Sequence, residues 1–158
     1  MQTHSLAEFQ AAAAEITLGL TPRSERAVVV ALSGDLGAGK TTFVQAAAAA
    51  LSVAEIPKSP TFVVMQLYPI PTNPRANGFT QLVHIDAYRL EGKDQLKVLH
   101  WEELCSNPHN LIFIEWPEMV EGGLPGGAKR ITLRHIDENT REITLEEPAS
   151  AGGVGEVQ

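Results

Sequence analysis

The stretch Ala27-Val28-Val29-Val30-Ala31-Leu32-Ser33-Gly34-Asp35-Leu36-Gly37-Ala38-Gly39-Lys40-Thr41-Thr42 decides the fold class. It opens with an unbroken apolar run, Ala27 to Leu32, which reads as a strand covered on both faces, the habit of a parallel sheet. Gly34 to Thr41 then satisfies Gly-x-x-x-x-Gly-Lys-[Ser/Thr] without a mismatch, and Lys40 to about Leu51 holds strong helix formers with no Pro or Gly. Strand, glycine-rich turn and helix in immediate succession form the context in which such a turn binds phosphate. Glycines let backbone N–H groups converge on an anion, and the helix adds its positive N-terminal end. The candidate nucleotide-binding residues here are Gly37, Ala38, Gly39, Lys40, Thr41 and Thr42. Lys40 reaches the terminal phosphates as a point charge, the Thr41 hydroxyl is placed for Mg²⁺, and Thr42 supplies a further phosphate hydrogen bond.

Upstream, Ser5 and Glu8 form a Ser-x-x-Glu capping box for a helix from about Leu6 to Leu18, which the Gly19 to Glu25 segment ends. Downstream, Thr61 to Tyr68 and Gln81 to Ala87 read as strands, joined by a Pro/Asn/Gly-rich surface loop from Pro69 to Gly78. Asp94 to Leu104 has the apolar spacing of a short helix, and Leu111 to Ile114 is a second fully apolar strand, stopped by Pro117. Arg130 to His135 and Glu142 to Glu146 form a hairpin around Asp137 to Thr140, and small residues from Ala149 onward predict a disordered tail. The expected architecture is α/β: a three-layer sandwich of the P-loop NTPase type, with a mostly parallel central sheet and antiparallel C-terminal strands. One domain over residues 1–148 accounts for the length.

Phosphate chemistry needs a carboxylate at the end of a neighbouring strand, to hold the magnesium shell or orient the attacking group. Two acids qualify. Glu115 ends the run Leu111-Ile112-Phe113-Ile114, at the C-terminal strand edge where ligands bind in open α/β sheets. Asp86 shares a strand face with His84 and Tyr88 by alternation. Glu115 is the stronger metal-site candidate, with Asp86 as a second catalytic acid. A backbone-bonded structural histidine is the commoner role for His84, a core role for Trp116, and a surface ion pair explains Arg89 as well as phosphate binding does. Ser59 to Thr61, one helix beyond the turn, sits where a switch segment would touch the γ-phosphate.

Twelve Lys+Arg against nineteen Asp+Glu give a net charge of −7, the wrong sign for a broad nucleic-acid surface. A single cysteine, Cys105, excludes an internal disulfide and reads as a small buried hydrophobe. Neither a secretory signal nor a membrane span is visible, so a soluble, cytoplasmic protein is expected. The rival function is a small P-loop kinase acting on a metabolite, for which Arg75, Arg89, Arg130, Arg134 and Arg141 supply no arginine-rich lid. A GTPase is disfavoured because no Asn-Lys-x-Asp segment is present.

The ordered blocks Gly34 to Thr42, Lys58-Ser59-Pro60-Thr61-Phe62, His84-Ile85-Asp86-Ala87-Tyr88-Arg89-Leu90 and Ile114-Glu115-Trp116-Pro117-Glu118 with Leu124-Pro125 resemble the bacterial TsaE family (formerly YjeE). These proteins are the ATPase component of the threonylcarbamoyladenosine tRNA-modification machinery. The resemblance implies a P-loop fold that binds ATP and Mg²⁺, hydrolyses ATP slowly alone, and works with the TsaB–TsaD pair, through which it meets tRNA. Carried over by position, Lys40 contacts phosphates, Thr41 and Glu115 serve Mg²⁺, Asp86 lies in the catalytic centre, and Ser59 to Thr61 form a switch-like loop. The family's segment near the base falls around Ser5. The chain departs from the family pattern in the longer loop from Pro69 to Thr80, at Phe62, and in Lys97 to Trp101.

Overall fold

The fully apolar strands predicted around the glycine-rich turn lie side by side at the centre of a seven-stranded sheet. The computed structural model describes residues 1–58 and 64–146. In chain order the strands are β1 (Gln2–Thr3), β2 (Val28–Ser33), β3 (Met65–Pro69), β4 (Gln81–Asp86), β5 (Asn110–Glu115), β6 (Lys129–His135) and β7 (Arg141–Glu146). They are arranged β1-β7-β6-β2-β5-β4-β3. The inner four, β6, β2, β5 and β4, are mutually parallel, while β1, β7 and β3 add antiparallel flanks. The central sheet is thus parallel and the C-terminal hairpin antiparallel, as the pattern predicts.

Alternation along the central strands splits the core into two layers. Val28, Val30, Leu32, Leu111 and Phe113 face helices α1 (Leu6–Leu18) and α2 (Lys40–Ala50). Alanines buried on both helices, Ala13 and Ala47 among them, let the backbones approach, and Phe43 sits edge-to-face on Phe9 (6.3 Å between centroids) and tilted on Phe113 (6.1 Å). Val29, Ala31, Ile112 and Ile114 face the opposite layer, where Leu96, Trp101, Cys105 and Val120 pack. Burial pushes the Cys105 thiol up to about 11, so it serves as the inert small hydrophobe its isolation suggests.

One local expectation needs correction, and two features go beyond the sequence pattern. The helix predicted over Asp94 to Leu104 is split, into a 3₁₀ segment (Lys93–Leu99) and the short α3 (Trp101–Cys105), because His100 adopts a left-handed conformation (φ 56°) between them. The Pro69 to Gly78 connection is the mostly exposed surface loop expected, pinned at Ile70, Ala76 and the adjoining Phe79, which are buried in the helix-side core, and by Asn73 and Asn77, which donate to the Leu51 and Leu20 carbonyls. The two-residue β1 has no sequence signature and owes its place to pairing with β7. The start of the strand predicted at Thr61, the Ser59 to Thr61 segment and the tail from Ala149 lie outside the described residues. Among the described residues, no helix is long and apolar enough to cross a membrane.

Candidate functional site

The parallel register brings the site together. Leu32 and Asp86 both pair with Glu115, so the turn after β2 and the C-terminal ends of β4 and β5 meet at one sheet edge. Gly34 and Gly39 are required in the turn itself. A Cβ on Gly34 would stand 2.6 Å from the Leu133 carbonyl oxygen, and Gly39 (φ 110°) passes so close to Phe9 that a Cβ would lie 3.0 Å from its ring. Gly39 caps α2 without a side-chain hydrogen bond, which leaves the helix's first N–H groups to face the turn. Ala38 is the one turn residue turned inward, buried and bonded through its N–H to the Asp35 carbonyl (2.9 Å).

Two adjoining clefts share Gly37, Gly39 and Thr42 and form one groove. The first, about 250 Å³, is walled by Lys40, Thr41, Asp86, Glu115 and Trp116. Glu115 is buried (3% exposed), and its carboxylate accepts from Thr41 Oγ1 (3.1 Å to Oε2) and from His84 Nε2 (2.5 Å to Oε2). His84 is therefore bonded to the candidate metal acid and not to the backbone, as a purely structural histidine would be. Lys40 is buried too, its ammonium donating to the Gly34 carbonyl (2.5 Å) and the Asp35 carbonyl (3.1 Å). That ammonium also lies 4.1 Å from the Trp116 ring centroid, a cation–π contact. Burial lowers the Lys40 pKa, against the pull of Glu115, Glu118, Asp86 and Asp35.

Trp116 thus belongs to the site as well as to the core boundary. Its backbone is left-handed (φ 57°) just before Pro117, a strained conformation that points the ring over the turn. Tyr88 leans on it, with centroids 5.1 Å apart. The strand ends at Asp86, whose Oδ1 accepts the Tyr88 N–H (3.0 Å), so Tyr88 reaches the site through Trp116 and not by strand alternation. Burial raises the Asp86 pKa above 3.8, the Tyr88 N–H opposes that shift, and the nearby Glu115 carboxylate reinforces it. Arg89 is exposed and makes no ion pair among the described residues.

The second cleft, about 180 Å³, has an apolar floor from Leu6 and Phe9 and a polar rim from Asn139 and Arg141. Ser5 stands at its edge, where its Oγ accepts the Glu8 N–H (3.1 Å) as the capping box predicts. Sequence reading found Ser5, weighed Arg141 only as a lid arginine for the rival kinase, and missed Leu6, Phe9 and Asn139. The only signal was the Asp137 to Thr140 turn, which reads as an ordinary hairpin. Of the arginines available for a kinase lid, Arg130 pairs with Glu121 (3.8 Å) and Arg134 with Glu142 (3.4 Å) away from the groove, while Arg141 lines it but donates to the Asp137 and Thr140 carbonyls of its own hairpin (2.9 and 3.2 Å). A larger cavity, about 470 Å³, lies beside the end of α1 and is walled mainly by aliphatic side chains such as Ile16, Leu20 and Ile131. Glu15, Thr21, Arg23 and Lys129 also line it, but it includes neither the glycine-rich turn nor the strand-end acids Asp86 and Glu115, so the smaller groove is the better candidate.

Comparison with known proteins decides the family. Residues 3–143 match the family model described as threonylcarbamoyl adenosine biosynthesis protein TsaE. The chain belongs to the TsaE family. Three TsaE relatives, each described as a tRNA threonylcarbamoyladenosine biosynthesis protein, show how far the likeness extends. The Bacillus subtilis protein is 34% identical over 74% of this chain and 68% of its own. For the Treponema pallidum protein the figures are 36%, 77% and 83%, and for that of Haemophilus influenzae 31%, 89% and 82%. In three dimensions the chain is similar to the crystal structure of Bacillus subtilis YdiB, with a TM-score of 0.71 and 25% identity over 98% of this chain and 88% of that one. The TsaE match spans both clefts, from β1 to β7.

Proposed function

We propose that this TsaE family member acts in tRNA threonylcarbamoyladenosine biosynthesis as an ATP-binding, slow Mg²⁺-dependent ATPase that works with the TsaB–TsaD pair in the cytoplasm. The family match supports the biosynthetic role over the metabolite kinase. The observation that carries the ATPase reading is the Thr41–Glu115 pair beside the buried Lys40 ammonium, at the N-terminus of α2. The donor set suits a hard cation, since Thr41 Oγ1 and Glu115 Oε1 and Oε2 are all oxygens. Mg²⁺ arriving with a nucleotide needs only one or two protein ligands, and among the described residues no cluster of three or more His, Cys, Asp or Glu forms a cage of its own. When bound, the cation neutralises charge on the phosphate oxygens.

The protein groups divide the remaining work. Backbone N–H groups of Gly37 and of Gly39 to Thr42 cradle the phosphates, and Lys40 exchanges the Gly34 and Asp35 carbonyls for phosphate oxygens. Asp86 holds the attacking water with the carboxylate oxygen not used by Tyr88 and takes its proton, a task suited to an acid whose pKa is raised. Leu6 and Phe9 supply an apolar seat for the base, and Asn139 and Arg141 its polar edge. With a net charge of −7, the chain meets tRNA through its protein partners and not by a basic surface of its own. The test is ATP turnover by the purified protein alone, then with TsaB–TsaD and tRNA. A rise confined to the complex is expected, whereas transfer of the γ-phosphate to a small molecule would restore the kinase.

A further inference from the structure

His84 is fully buried on β4, directly across from Phe113 of β5 and two residues before the strand end at Asp86. Its strand neighbours on the same face are Leu82, within an aliphatic and aromatic core, and Asp86 at the strand end. An apolar side chain would suit such a place. The imidazole instead keeps Nδ1 buried without a hydrogen-bond partner among the described residues, which carries a desolvation cost, while Nε2 donates to Glu115 Oε2 at 2.5 Å. The same Oε2 accepts from Thr41 Oγ1 at 3.1 Å, and Oε1 lies 3.3 Å from that hydroxyl. Glu115 is thus gripped between a strand and the first turn of α2, with the imidazole as the fixed side of the grip.

We propose that His84 is a positioning residue: it sets the rotamer of Glu115 against Thr41 and thereby couples nucleotide binding to the divalent cation. The proposal rests on the reading that Thr41 and Glu115 serve Mg²⁺. A carboxylate with one oxygen fixed by a rigid ring cannot swing toward the Lys40 ammonium, whose charge already acts on it from the same cleft. Orientation of the acid, and not bulk in the core, is the work that needs nitrogen at Nε2. The unpartnered Nδ1 is what that work leaves behind.

The two amide substitutions separate the roles, because the Gln amide nitrogen overlays imidazole Nε2 and the Asn amide nitrogen overlays Nδ1. ATP affinity is measured by titration calorimetry with excess chelator and again with saturating Mg²⁺, and the ratio of the two is the metal coupling. His84→Gln should keep the wild-type ratio. His84→Asn should reduce it at least fivefold, with metal-free ATP affinity within twofold of wild type and a cooperative thermal melt. In a Glu115→Gln background, His84→Asn should change the ratio no further, as expected of a residue acting through Glu115. If both variants keep the wild-type ratio, or if His84→Asn weakens ATP equally with and without metal, the positioning role is overturned. A wild-type protein whose ATP affinity ignores Mg²⁺ would overturn the magnesium reading itself and the proposal with it.

Discussion

One end of the groove comes from a single turn of chain, and the other is assembled from the two ends of the molecule. At the phosphate end, Gly37, Gly39, Lys40, Thr41 and Thr42 follow one another, and two strand-end acids join them. At the end proposed for the nucleoside, Leu6 and Phe9 meet Asn139 and Arg141. What joins those distant segments is small: Gln2 and Thr3 pair with Glu142 and Arg141, and the Met1 carbonyl accepts the Ile143 N–H (2.8 Å). Local sequence specifies charge placement at one end, while a two-residue strand specifies shape at the other. Substitutions at the two ends should therefore fail in different ways.

The largest effect belongs to the phosphate end. Glu115→Gln keeps the shape of the side chain and loses its charge, so turnover in the partner complex should fall by roughly a hundredfold or more while ATP affinity changes by less than about tenfold. Parallel measurements of turnover and equilibrium binding check the separation. Unchanged turnover would reduce Glu115 to a strand-end acid and move its role to Asp86.

Leu6→Ala probes the opposite end. Leu6 is 63% exposed, so its truncation should leave the melting temperature nearly unchanged. ATP should bind about three- to tenfold more weakly, through lost apolar contact, while inorganic triphosphate, which has no base, binds as before. Competition titrations with both ligands report the difference, and equal weakening of both would place Leu6 outside the base seat.

The extent to which each end is legible follows from the same contrast. The glycine-rich turn, Glu115 and Asp86 stand out because each signal lies within a strand-turn-helix or strand-end pattern of about ten residues. Trp116 was read as core because nothing local shows the left-handed backbone that swings its ring over Lys40. His84 was read as a backbone-bonded residue because its partner, Glu115, is 31 residues away. The split at His100 eluded periodicity, since the apolar spacing of Leu96, Leu99 and Leu104 suits one helix as well as two short segments. Leu6 and Asn139 carry no signal at all, because a hairpin turn and a helix N-terminus become a cleft only once β1 has paired with β7.

The smallest expected effect concerns the hairpin that carries the polar rim. Asp137 Oδ1 accepts from the Asn139 and Thr140 N–H groups (3.0 and 2.9 Å), and these bonds hold its pKa below 3.8. A depressed acid contributes stability above its unfolded pKa and loses it as pH falls through the folded value. Asp137→Ala should therefore melt slightly lower than wild type at neutral pH, and the difference should vanish in acid below that ordinary carboxylate value. Thermal melts across the acid range decide this, and a difference independent of pH would remove the turn's charge from the account.

The central claim is that one groove binds ATP with its phosphates on the turn from Gly34 to Thr42. Titration calorimetry of Mg-ATP into wild type and Lys40→Ala, alongside circular dichroism of both, tests it most directly. The ammonium lies buried among the Gly34 and Asp35 carbonyls and the Trp116 ring, closer to the core than a solvent-facing lysine would be. It nevertheless fills no hydrophobic contact that the fold needs. The wild type should bind one ATP per chain, and Lys40→Ala should keep its spectrum while its affinity falls by at least about a hundredfold. An unchanged dissociation constant in a folded Lys40→Ala protein would contradict the claim.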